Sequence, residues 1–458
     1  MRLPSATPGR KPSRAGLLSR FAVAVFLLTF SISCAPHPAV HESFTRLAPS
    51  IEIVETHPVE TELGHPETRD TLPVWLEFID GATSTLDLEH FYVSTWPGRR
   101  LEPVLDAVGR AAARGVRVRL LIDAAMYGTY PEPADSLGAL EGIELRVIDY
   151  RKITGGVQHA KLMISDGDQL FVGSQNFDWR ALEHIHELGV LIRDAQVTGA
   201  VTRMFEMDWL AAGNAEAEAG STHEGRPADA EPRAGSGSSP DTAPAQFSSW
   251  NVALSADDTA VVQLSASPPS RQAGLANDLE TLVGLIDGAE REVVAQMLSY
   301  SVSARGLEET ALDDALRRAA ARGVHVSLLV SDWQADSASR IETVKSLAAV
   351  PGIEVGMSVV PEYSGGYISF ARVEHCKFLV ADGATTWVGT SNWGPDYFES
   401  SRNVGVTIHS SEIAETVRQT FGRSWSAPHT VHVHPDSTYT PRIHREEAPA
   451  GHRMYEGR

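Results

Sequence analysis

Hydrophobic and polar positions fall into two series that repeat the same order of elements. In each series an Ala-, Leu- and Arg-rich stretch ends at a glycine, Gly115 or Gly323, and a β-branched apolar run follows. A helix that ends at glycine and leads into a buried Val/Leu strand is typical of a β-α-β unit. The matching stretches are 111–122 with 319–330, and 78–82 with 285–289. The repeat predicts an α/β protein of two similar lobes, each a mixed, mostly parallel sheet flanked by helices, related by pseudo-twofold symmetry.

The beginning of the chain differs from the rest. Basic residues without any acid precede an apolar run, residues 21–30, which is shorter than the roughly 20 residues that a transmembrane helix needs. This order is typical of an export signal, here predicted over residues 1–34, and Ser33-Cys34 resembles a bacterial lipoprotein cleavage box. We expect export to the cell envelope or the extracellular space. A lipid on Cys34 and an uncleaved anchor helix are alternative means of holding the chain at a membrane.

Composition also sets the limits of the two lobes. The first lobe is predicted over residues 51–212 and the second over residues 248–427. Between them, residues 213–247 are rich in Ala, Gly, Ser, Pro and Glu with almost no large apolar side chain, so we expect a flexible linker. Residues 428–458 contain several histidines that could bind stray metal, but the main expectation for them is a disordered, solvated tail.

The balance of charges and the scarcity of cysteine exclude several classes of protein. The 458 residues include 39 Lys and Arg against 59 Asp and Glu, a formal net charge of −20. A chain this acidic is not expected to coat duplex DNA, because neutralising phosphates requires clustered cations, although one small basic pocket stays compatible with it. With Cys34 and Cys376 as the two cysteines, there is no disulfide framework and no zinc-type spacing, so we expect no metal and no cofactor.

One motif occurs once in each lobe and combines residues suited to phosphate chemistry. Both copies have the form HxKxxxxD and are followed by a glycine, a hydroxyl residue and an asparagine. The first copy has His159, Lys161, Asp166, Ser174 and Asn176, and the second has His375, Lys377, Asp382, Thr390 and Asn392. Because residues i and i+2 of a strand point to the same side, each imidazole is expected beside an ammonium, a pair that suits a phosphate group.

The duplication of the motif suggests how the chemistry is divided. If two half-sites meet about the pseudo-twofold axis, one histidine attacks phosphorus and the other protonates the leaving group, and neither does both at once. Both lysines and both asparagines would stabilise charge on the phosphoryl oxygens, and the two hydroxyl residues could add neutral donors. Asp166 and Asp382 stand at Asp-Gly turns, where we expect them to be structural or to support the site indirectly.

These motifs resemble those of the phospholipase D superfamily, whose mark is the paired HxKxxxxD with a trailing GSxN. The resemblance runs from about residue 51 to residue 425. Finer matches are similar to the animal lysosomal phospholipase D3/D4 branch; they are Ile53-Val-Glu55, Asn176-Phe-Asp-Trp-Arg180, Ala371-Arg-Val373 and Thr390-Ser-Asn-Trp393. The resemblance implies the phospholipase D fold and metal-independent phosphodiester cleavage through a phosphohistidine. Relatives in that branch are associated with 5′-exonuclease action on single-stranded nucleic acid and with lysophospholipid transfer.

Glu187 and Asn403 occupy matching positions after the two motifs and break their symmetry. A carboxylate bonded to one ring nitrogen of a histidine fixes the tautomer and raises the basicity of the other nitrogen, whereas a neutral amide does less. We therefore expect His159, backed by Glu187, to be the nucleophile, and His375 to be the general acid and then the general base. The usual order in the superfamily agrees with this assignment.

Three functions fit the sequence to different degrees. The leading hypothesis is an exported phosphodiesterase that cleaves phospholipids at a membrane surface, releasing a head group or transferring it to an alcohol. The alternative is a 5′-exonuclease acting on ends of single-stranded nucleic acid by the same two-histidine mechanism, since a strand end can enter a pocket of an acidic protein. A non-enzymatic relative is disfavoured because both histidines and both lysines are present.

Overall fold

The computed structural model describes two stretches of the chain with short gaps in the second. The described residues are 49–220, 248–255, 257–270, 273–442, 447–449 and 451–455, with the backbone alone for 214–220. The predicted export signal, including Cys34, and residues 221–247 of the predicted linker lie outside them. Within the described part of the chain, no helix is both long enough and apolar enough to cross a bilayer.

The first lobe alternates strands and helices as the sequence pattern predicts. Its strands are β1 Ile51–Thr56, β2 Arg69–Asp70, β3 Thr85–His90, β4 Val93–Ser94, β5 Arg117–Asp123, β6 Ile143–Ile148, β7 Leu162–Ser165, β8 Gln169–Gly173, β9 Phe177–Asp178 and β10 Ile185–Arg193. Its helices are α1 Thr71–Gly81, α2 Glu102–Ala113, α3 Ala124–Tyr127, α4 Pro131–Gly138, α5 Tyr150–Ile153 and α6 Ala195–Gly220, with a 3-10 turn at Arg180–Leu182. The last helix continues past residue 212, so the first residues of the predicted linker are helical.

The second lobe repeats the same order of elements. Its strands are β11 Ser249–Ala253, β12 Thr259–Ser267, β13 Ala276–Asn277, β14 Glu292–Met297, β15 Ser303–Ala304, β16 Leu307–Glu308, β17 His325–Ser331, β18 Ile353–Ser358, β19 Val373–Glu374, β20 Phe378–Ala381, β21 Thr385–Gly389, β22 Asn403–His409 and β23 Thr430–His432. Its helices are α7 Asp278–Gly288, α8 Ala311–Ala321, α9 Ala338–Ala348, α10 Pro395–Glu399 and α11 Ser411–Ser426, with a 3-10 turn at Asp332–Asp336.

The two central sheets have equivalent strand orders, which confirms the predicted pair of α/β lobes. The order is β1-β10-β8-β7-β3-β5-β6 in the first lobe and β12-β22-β21-β20-β14-β17-β18 in the second. In both, the first five strands pair antiparallel and the last three pair parallel. The prediction of mostly parallel sheets was wrong in this respect. Tight Asp-Gly turns join β7 to β8 and β20 to β21, and a short turn can join only antiparallel strands.

A continuous apolar core joins the two sheets. One cluster of buried side chains includes Leu170 and Val190 from the first lobe and Phe378 and Val404 from the second. Burial of apolar area at about 25 cal/mol per Å² makes such a shared face the main force that holds the lobes together. The strand ends that carry the predicted motifs are therefore held in fixed relative positions.

The predicted disordered tail is wrong for the part of residues 428–458 that the structure describes. Strand β23 extends the second sheet by pairing antiparallel with the edge strand β18. Further on, Tyr455 packs against Trp179 and lies under the guanidinium of Arg99, whose carbon is 4.7 Å from the ring centre. The polar composition of the tail hides these few anchoring residues, because an unpaired sheet edge and an aromatic surface are tertiary features.

Candidate active site

A short segment before each predicted histidine pairs with the opposite lobe. Strand β19, which precedes His375, runs parallel to β10 of the first lobe, and the backbone N–H of His375 donates to the carbonyl of His186 at 2.9 Å. In the same way Gln158 bridges to Arg402, and the N–H of His159 donates to the carbonyl of Arg402 at 2.9 Å. Each histidine is thereby fixed beside the first residues of the other lobe's long strand.

The pairing of each segment with the opposite lobe determines which polar residue contacts each imidazole. Nδ1 of His375 lies 2.7 Å from Oε2 of Glu187, and Nδ1 of His159 lies 3.0 Å from Oδ1 of Asn403. The prediction that Glu187 backs His159 is therefore wrong. Each pairing joins a histidine of one lobe to the polar residue of the other, and spacing along one lobe cannot show a contact made across the pseudo-twofold axis.

Asn403 is held in one orientation, and that orientation sets the proton position on His159. Its Nδ2 donates to the carbonyls of Tyr397 at 2.9 Å and Ser401 at 3.1 Å, so its Oδ1 faces the imidazole. The hydroxyl of Thr390 also donates to that oxygen at 3.0 Å. Because Oδ1 only accepts, the hydrogen of a neutral His159 resides on Nδ1 and leaves Nε2 with a lone pair.

Glu187 is held by a hydroxyl residue, as Asn403 is held by Thr390. The hydroxyl of Ser174 donates to its Oε2 at 2.5 Å and accepts the backbone N–H of Leu188 at 3.0 Å. The sequence predicts Ser174 and Thr390 as possible donors to phosphate, but their hydroxyls instead donate to Glu187 and Asn403. Their contacts therefore position the partners of the two histidines.

Both motif lysines are fully buried and face their own histidines. Nζ of Lys161 donates to the backbone carbonyl of His159 at 2.7 Å, and Nζ of Lys377 donates to that of His375 at 2.8 Å. Burial lowers the pKa of Lys377 to about 8, and burial together with repulsion from Lys377 lowers the pKa of Lys161. The carboxylate of Glu187 opposes both shifts. Two buried ammonium groups with donor capacity to spare favour a bound anion such as a phosphate diester.

The two imidazoles share one electrostatic environment. Burial, reinforced by the charges of the two lysines, lowers the pKa of both His159 and His375, and His159 also acts on His375. The ring of His159 packs edge-on between Phe91 at 5.0 Å and Tyr397 at 5.1 Å, measured between ring centres. The free site therefore favours neutral imidazoles, as a nucleophile requires.

The predicted asparagines are buried beside this centre. Asn176 and Asn392 each lie two residues beyond the hydroxyl residue that supports Glu187 or Asn403. The Oδ1 atoms of both are buried without a hydrogen-bond partner among the described residues. The amide nitrogens of these two side chains are the donors that could reach a phosphate oxygen, because the oxygens only accept.

The two motif aspartates lie away from the reacting groups, at the positions expected of structural residues. The carboxylate of Asp166 accepts the backbone N–H groups of residues 83–85 at 2.8 to 2.9 Å, and Asp382 accepts those of residues 290–292 at 2.7 to 3.0 Å. Both have positive φ, 51° and 55°, in the turns that join their hairpin strands. Each carboxylate ties a tight turn to the start of the neighbouring strand, β3 or β14.

Two buried polar clusters behind the histidines are absent from the sequence prediction. The Arg402 cluster lies behind His159: Nε of Arg402 donates to Oδ2 of Asp208 at 2.8 Å and to the hydroxyl of Tyr150 at 2.7 Å. Glu89 lies beside this cluster, and burial with the nearby charge of Asp208 raises its pKa to about 8. The sequence does offer one signal for these clusters. Arg402 and His186 directly precede Asn403 and Glu187, the residues that contact the two imidazoles.

The His186 cluster lies behind His375 and consists of Glu55, His186, Glu374 and Cys376. Nε2 of His186 is 2.8 Å from Glu55, and its Nδ1 contacts Glu374. Although burial opposes protonation, Cys376 and Glu374 raise the pKa of His186. His186, Glu374 and Cys376 have the chemistry of metal ligands, with ligand atoms within 4.8 Å of one another. Both ring nitrogens of His186 already face carboxylates, so the group is satisfied as a hydrogen-bonded ion cluster.

Comparisons with known sequences agree with this site. The family described as "Cardiolipin synthase, PLD-like domain" matches residues 75–209 and 282–425. The chain is 29% identical over 405 residues to "Phospholipase D Z" of Dictyostelium discoideum, covering 84% of this chain and 92% of the relative. It is 30% identical over 394 residues to "5'-3' exonuclease PLD3" of Macaca fascicularis, covering 80% of this chain and 76% of the relative. One of these relatives is thus named a phospholipase D and the other an exonuclease.

A solved structure shows the same fold. The phosphatidylserine synthase of Haemophilus influenzae Rd KW20 superposes with a TM-score of 0.55 at 11% identity, covering 84% of this chain and 87% of that one. At this identity the likeness concerns the fold alone. With its duplicated HxKxxxxD motif, its two equivalent sheets and a family match in both lobes, the chain belongs to the PLD-like domain family of the phospholipase D superfamily and is a phosphodiesterase.

Proposed function

We propose that the chain hydrolyses phosphodiesters through a covalent phosphohistidine on His375, with His159 as the residue that moves protons. The observation that carries this assignment is the contact between His375 and Glu187 at 2.7 Å, against the contact of His159 with neutral Asn403. Attack on phosphorus places positive charge on the attacking imidazole, and a carboxylate on its Nδ1–H stabilises that charge better than an amide does.

In the first step a P–N bond forms and a P–O bond breaks. The lone pair on Nε2 of His375 attacks phosphorus from the side opposite the leaving oxygen. His159 is neutral in the free site and takes up a proton on Nε2 as the anionic diester binds beside it. It then gives that proton to the leaving oxygen as the oxygen departs. Lys161, Lys377, Asn176 and Asn392 hold the nonbridging oxygens, whose charge increases in the transition state.

The second step regenerates the enzyme. His159, now neutral on Nε2, takes a proton from water while the water oxygen attacks phosphorus. The P–N bond breaks, the electron pair returns to His375, and the product is a phosphate monoester. An alcohol in place of water gives a new diester, so transfer to an alcohol follows the same path.

Two substrate classes fit this chemistry. Phospholipid at a membrane surface is the leading class from the sequence, where an export signal and a lipid on Cys34 are predicted; both features lie outside the described residues. The ends of single-stranded nucleic acid are the second class. One relative is named a phospholipase D and another a 5′-3′ exonuclease, so their names support each class equally.

Parallel turnover by the purified full chain tests this proposal. The substrates are phosphatidylcholine vesicles, phosphatidylglycerol vesicles, a 5′-hydroxyl single-stranded oligonucleotide and bis(4-nitrophenyl) phosphate, with His375→Ala as the control. We expect the control to abolish turnover of every substrate that the unmodified chain cleaves. Cleavage of none of the four, or cleavage that survives His375→Ala, contradicts the proposal.

A further inference from the structure

A polar cavity of about 620 Å³ opens beside the catalytic centre in the second lobe. Tyr397 forms part of its wall and also packs against His159, with 5.1 Å between ring centres. Its other walls come from two chain segments and a hairpin, and its polar lining includes Ser299, Ser301, Ser303, Arg305 and Arg340. Serine hydroxyls and two guanidinium groups share this lining with the carboxylates of Glu308 and Asp396. The hydroxyl and guanidinium donors suit an anionic, hydrated part of a substrate.

Arg305 is presented to this cavity by a strained turn. It follows β15 and precedes β16, and the two loop residues Arg305 and Gly306 have φ values of 51° and 83°. Positive φ at both positions is typical of a type I′ hairpin, in which Asn, Asp or Gly are preferred and arginine is disfavoured. The guanidinium contacts Asp396 at 3.3 Å while its side chain stays 63% exposed. Strained backbone residues cluster at ligand sites, so this loop tip in the cavity wall is a candidate contact for a ligand.

Arg340 supplies a second cation with spare capacity. It is half-buried in the cavity wall, and its charge acts on the Tyr397 hydroxyl. Within the described part of the chain, its guanidinium has no ion pair or hydrogen-bond partner. Most arginines near this site are tied down; Arg180, for example, forms several hydrogen bonds to Asp178.

A second cavity, between the first lobe and later segments of the chain, has a different lining. It measures about 230 Å³ and includes Trp96, Tyr130, Trp179 and Tyr455. Ring contacts of 5.0 to 5.6 Å lead to it from His159 through the adjacent Phe91 and Tyr92. Cations on one side and aromatic rings on the other match a single nucleic acid strand, whose phosphates pair with guanidinium groups and whose bases stack on rings.

We propose that Arg305 and Arg340 form a second phosphate subsite, which binds the linkage next to the scissile one on a single-stranded nucleic acid. The subsite rests on the proposed phosphodiesterase function and selects the second of its two substrate classes. The flanking phosphate accepts hydrogen bonds from both guanidinium groups and from the serine hydroxyls. The substrate is thereby fixed with its scissile phosphorus over Nε2 of His375.

The test is a cycle that changes the protein and the substrate together. The variants are Arg305→Gln, Arg340→Gln and the double substitution, with Arg318→Gln as a matched control because Arg318 is paired with Asp287 on an exposed helix. The substrates are a 5′-hydroxyl trinucleotide, the same trinucleotide with a neutral methylphosphonate at the second linkage, and bis(4-nitrophenyl) phosphate. Loss of a charge-assisted hydrogen bond corresponds to about a tenfold to hundredfold fall in kcat/KM.

We expect each variant to lose about tenfold or more in kcat/KM on the normal trinucleotide and to match the unmodified chain on the other two substrates. The control should match on all three. Equal losses on bis(4-nitrophenyl) phosphate, or a methylphosphonate penalty that persists in the double variant, overturns the subsite. The same variants are also assayed on phosphatidylglycerol vesicles. A loss there with no loss on the trinucleotide assigns the cavity to lipid and also overturns the subsite. Failure of the unmodified chain to cleave bis(4-nitrophenyl) phosphate contradicts the phosphodiesterase itself, and retained cleavage by the variants reports that they are folded.

Discussion

The half-sites around His375 and His159 share one backbone plan but differ in the charge that faces each imidazole. His375 contacts the carboxylate of Glu187, and His159 contacts the amide of Asn403. The clusters behind them differ as well, with an imidazole between carboxylates in one and a guanidinium with a carboxylate in the other. The strand exchange that creates the contacts is the same on both sides.

This difference teaches how a duplicated fold produces an unsymmetric reaction. Duplication supplies two imidazoles at related positions with equivalent lysines, but equivalent groups would compete for the same role. A single exchange of carboxylate for amide at matching positions makes one ring the better nucleophile and leaves the other free to exchange protons. The roles are therefore set by two residues that do not touch phosphorus.

The largest expected difference between the half-sites appears when each histidine is removed. His375→Ala should lower kcat by about 10⁴ or more on every substrate, because no covalent intermediate can form. His159→Ala should lower it by about 10² to 10⁴ on alkoxide leaving groups but still release one equivalent of 4-nitrophenol, which needs no proton. A rapid-mixing measurement of the nitrophenol burst, with analysis of acid-labile phosphate on the protein, checks both. A burst from His375→Ala, or label on His159, would reverse the assigned roles.

Exchange of the carboxylate should have the next largest effect. Glu187→Gln keeps the shape of the side chain but removes the charge that stabilises the phosphorylated ring, so we expect kcat to fall by about 10² to 10³. Steady-state kinetics on bis(4-nitrophenyl) phosphate measure this loss. Ser174→Ala serves as a milder control because it removes one hydrogen bond to the same carboxylate. Activity within threefold of normal in Glu187→Gln would separate the carboxylate from catalysis.

Replacement of the amide of Asn403 by a carboxylate should shift the alkaline limb of the pH–rate profile. His159 acts as an acid in the first step, so activity falls as pH rises through its pKa, which burial holds below the usual value. Asn403→Asp places a carboxylate at the ring, favours the imidazolium and raises that pKa. The alkaline limb of kcat/KM should therefore move up by about 1 to 3 pH units. A pH profile with an oligonucleotide or phospholipid measures it, and an unmoved limb would assign the limb to another group.

Substitution of either motif aspartate should lower the stability of the fold by a similar amount and change kcat little. Asp166→Asn and Asp382→Asn keep a residue that tolerates positive φ but weaken three backbone hydrogen bonds to a carboxylate. Each should destabilise the fold by about 1 to 3 kcal/mol. Thermal unfolding should show a similar lowering of Tm for the two variants, with kcat of the folded protein unchanged. A selective loss of kcat in one of them would give that aspartate a catalytic part.

The smallest effect is expected from chelation. The buried His186 cluster is satisfied by its own hydrogen bonds, and the proposed steps use only side chains and water. Incubation with EDTA should therefore change the rate by less than about twofold. If the rate falls strongly and one divalent ion restores it, His186, Glu374 and Cys376 become the first candidates for its ligands.

The repeat, the α/β lobes and the paired motifs follow from sequence because each depends on local pattern. Helix-to-glycine-to-strand order and the spacing from histidine to lysine are set within a few residues. The turn role of Asp166 and Asp382 likewise follows from the adjacent glycines. These predictions need no knowledge of how the lobes meet.

Other features depend on contacts between distant segments. Glu187 and His375 are brought together by β19 crossing to β10, and no spacing within one lobe shows that pairing. The His186 cluster also draws its members from both lobes, which explains why its ligand-like chemistry is not evident in the sequence. Strand β23 is ordered because β18 offers it an edge.

The crossing of β19 also determines when in biosynthesis the enzyme is completed. His159 is added to the growing chain long before Asn403, and Glu187 long before His375. Until the second lobe has been translated and has docked, the first imidazole lacks the amide that fixes its tautomer, and the buried carboxylate lacks its ring. A prematurely terminated polypeptide that ends before His375 lacks the attacking imidazole, so we expect it to be inert and not a weaker version of the finished enzyme.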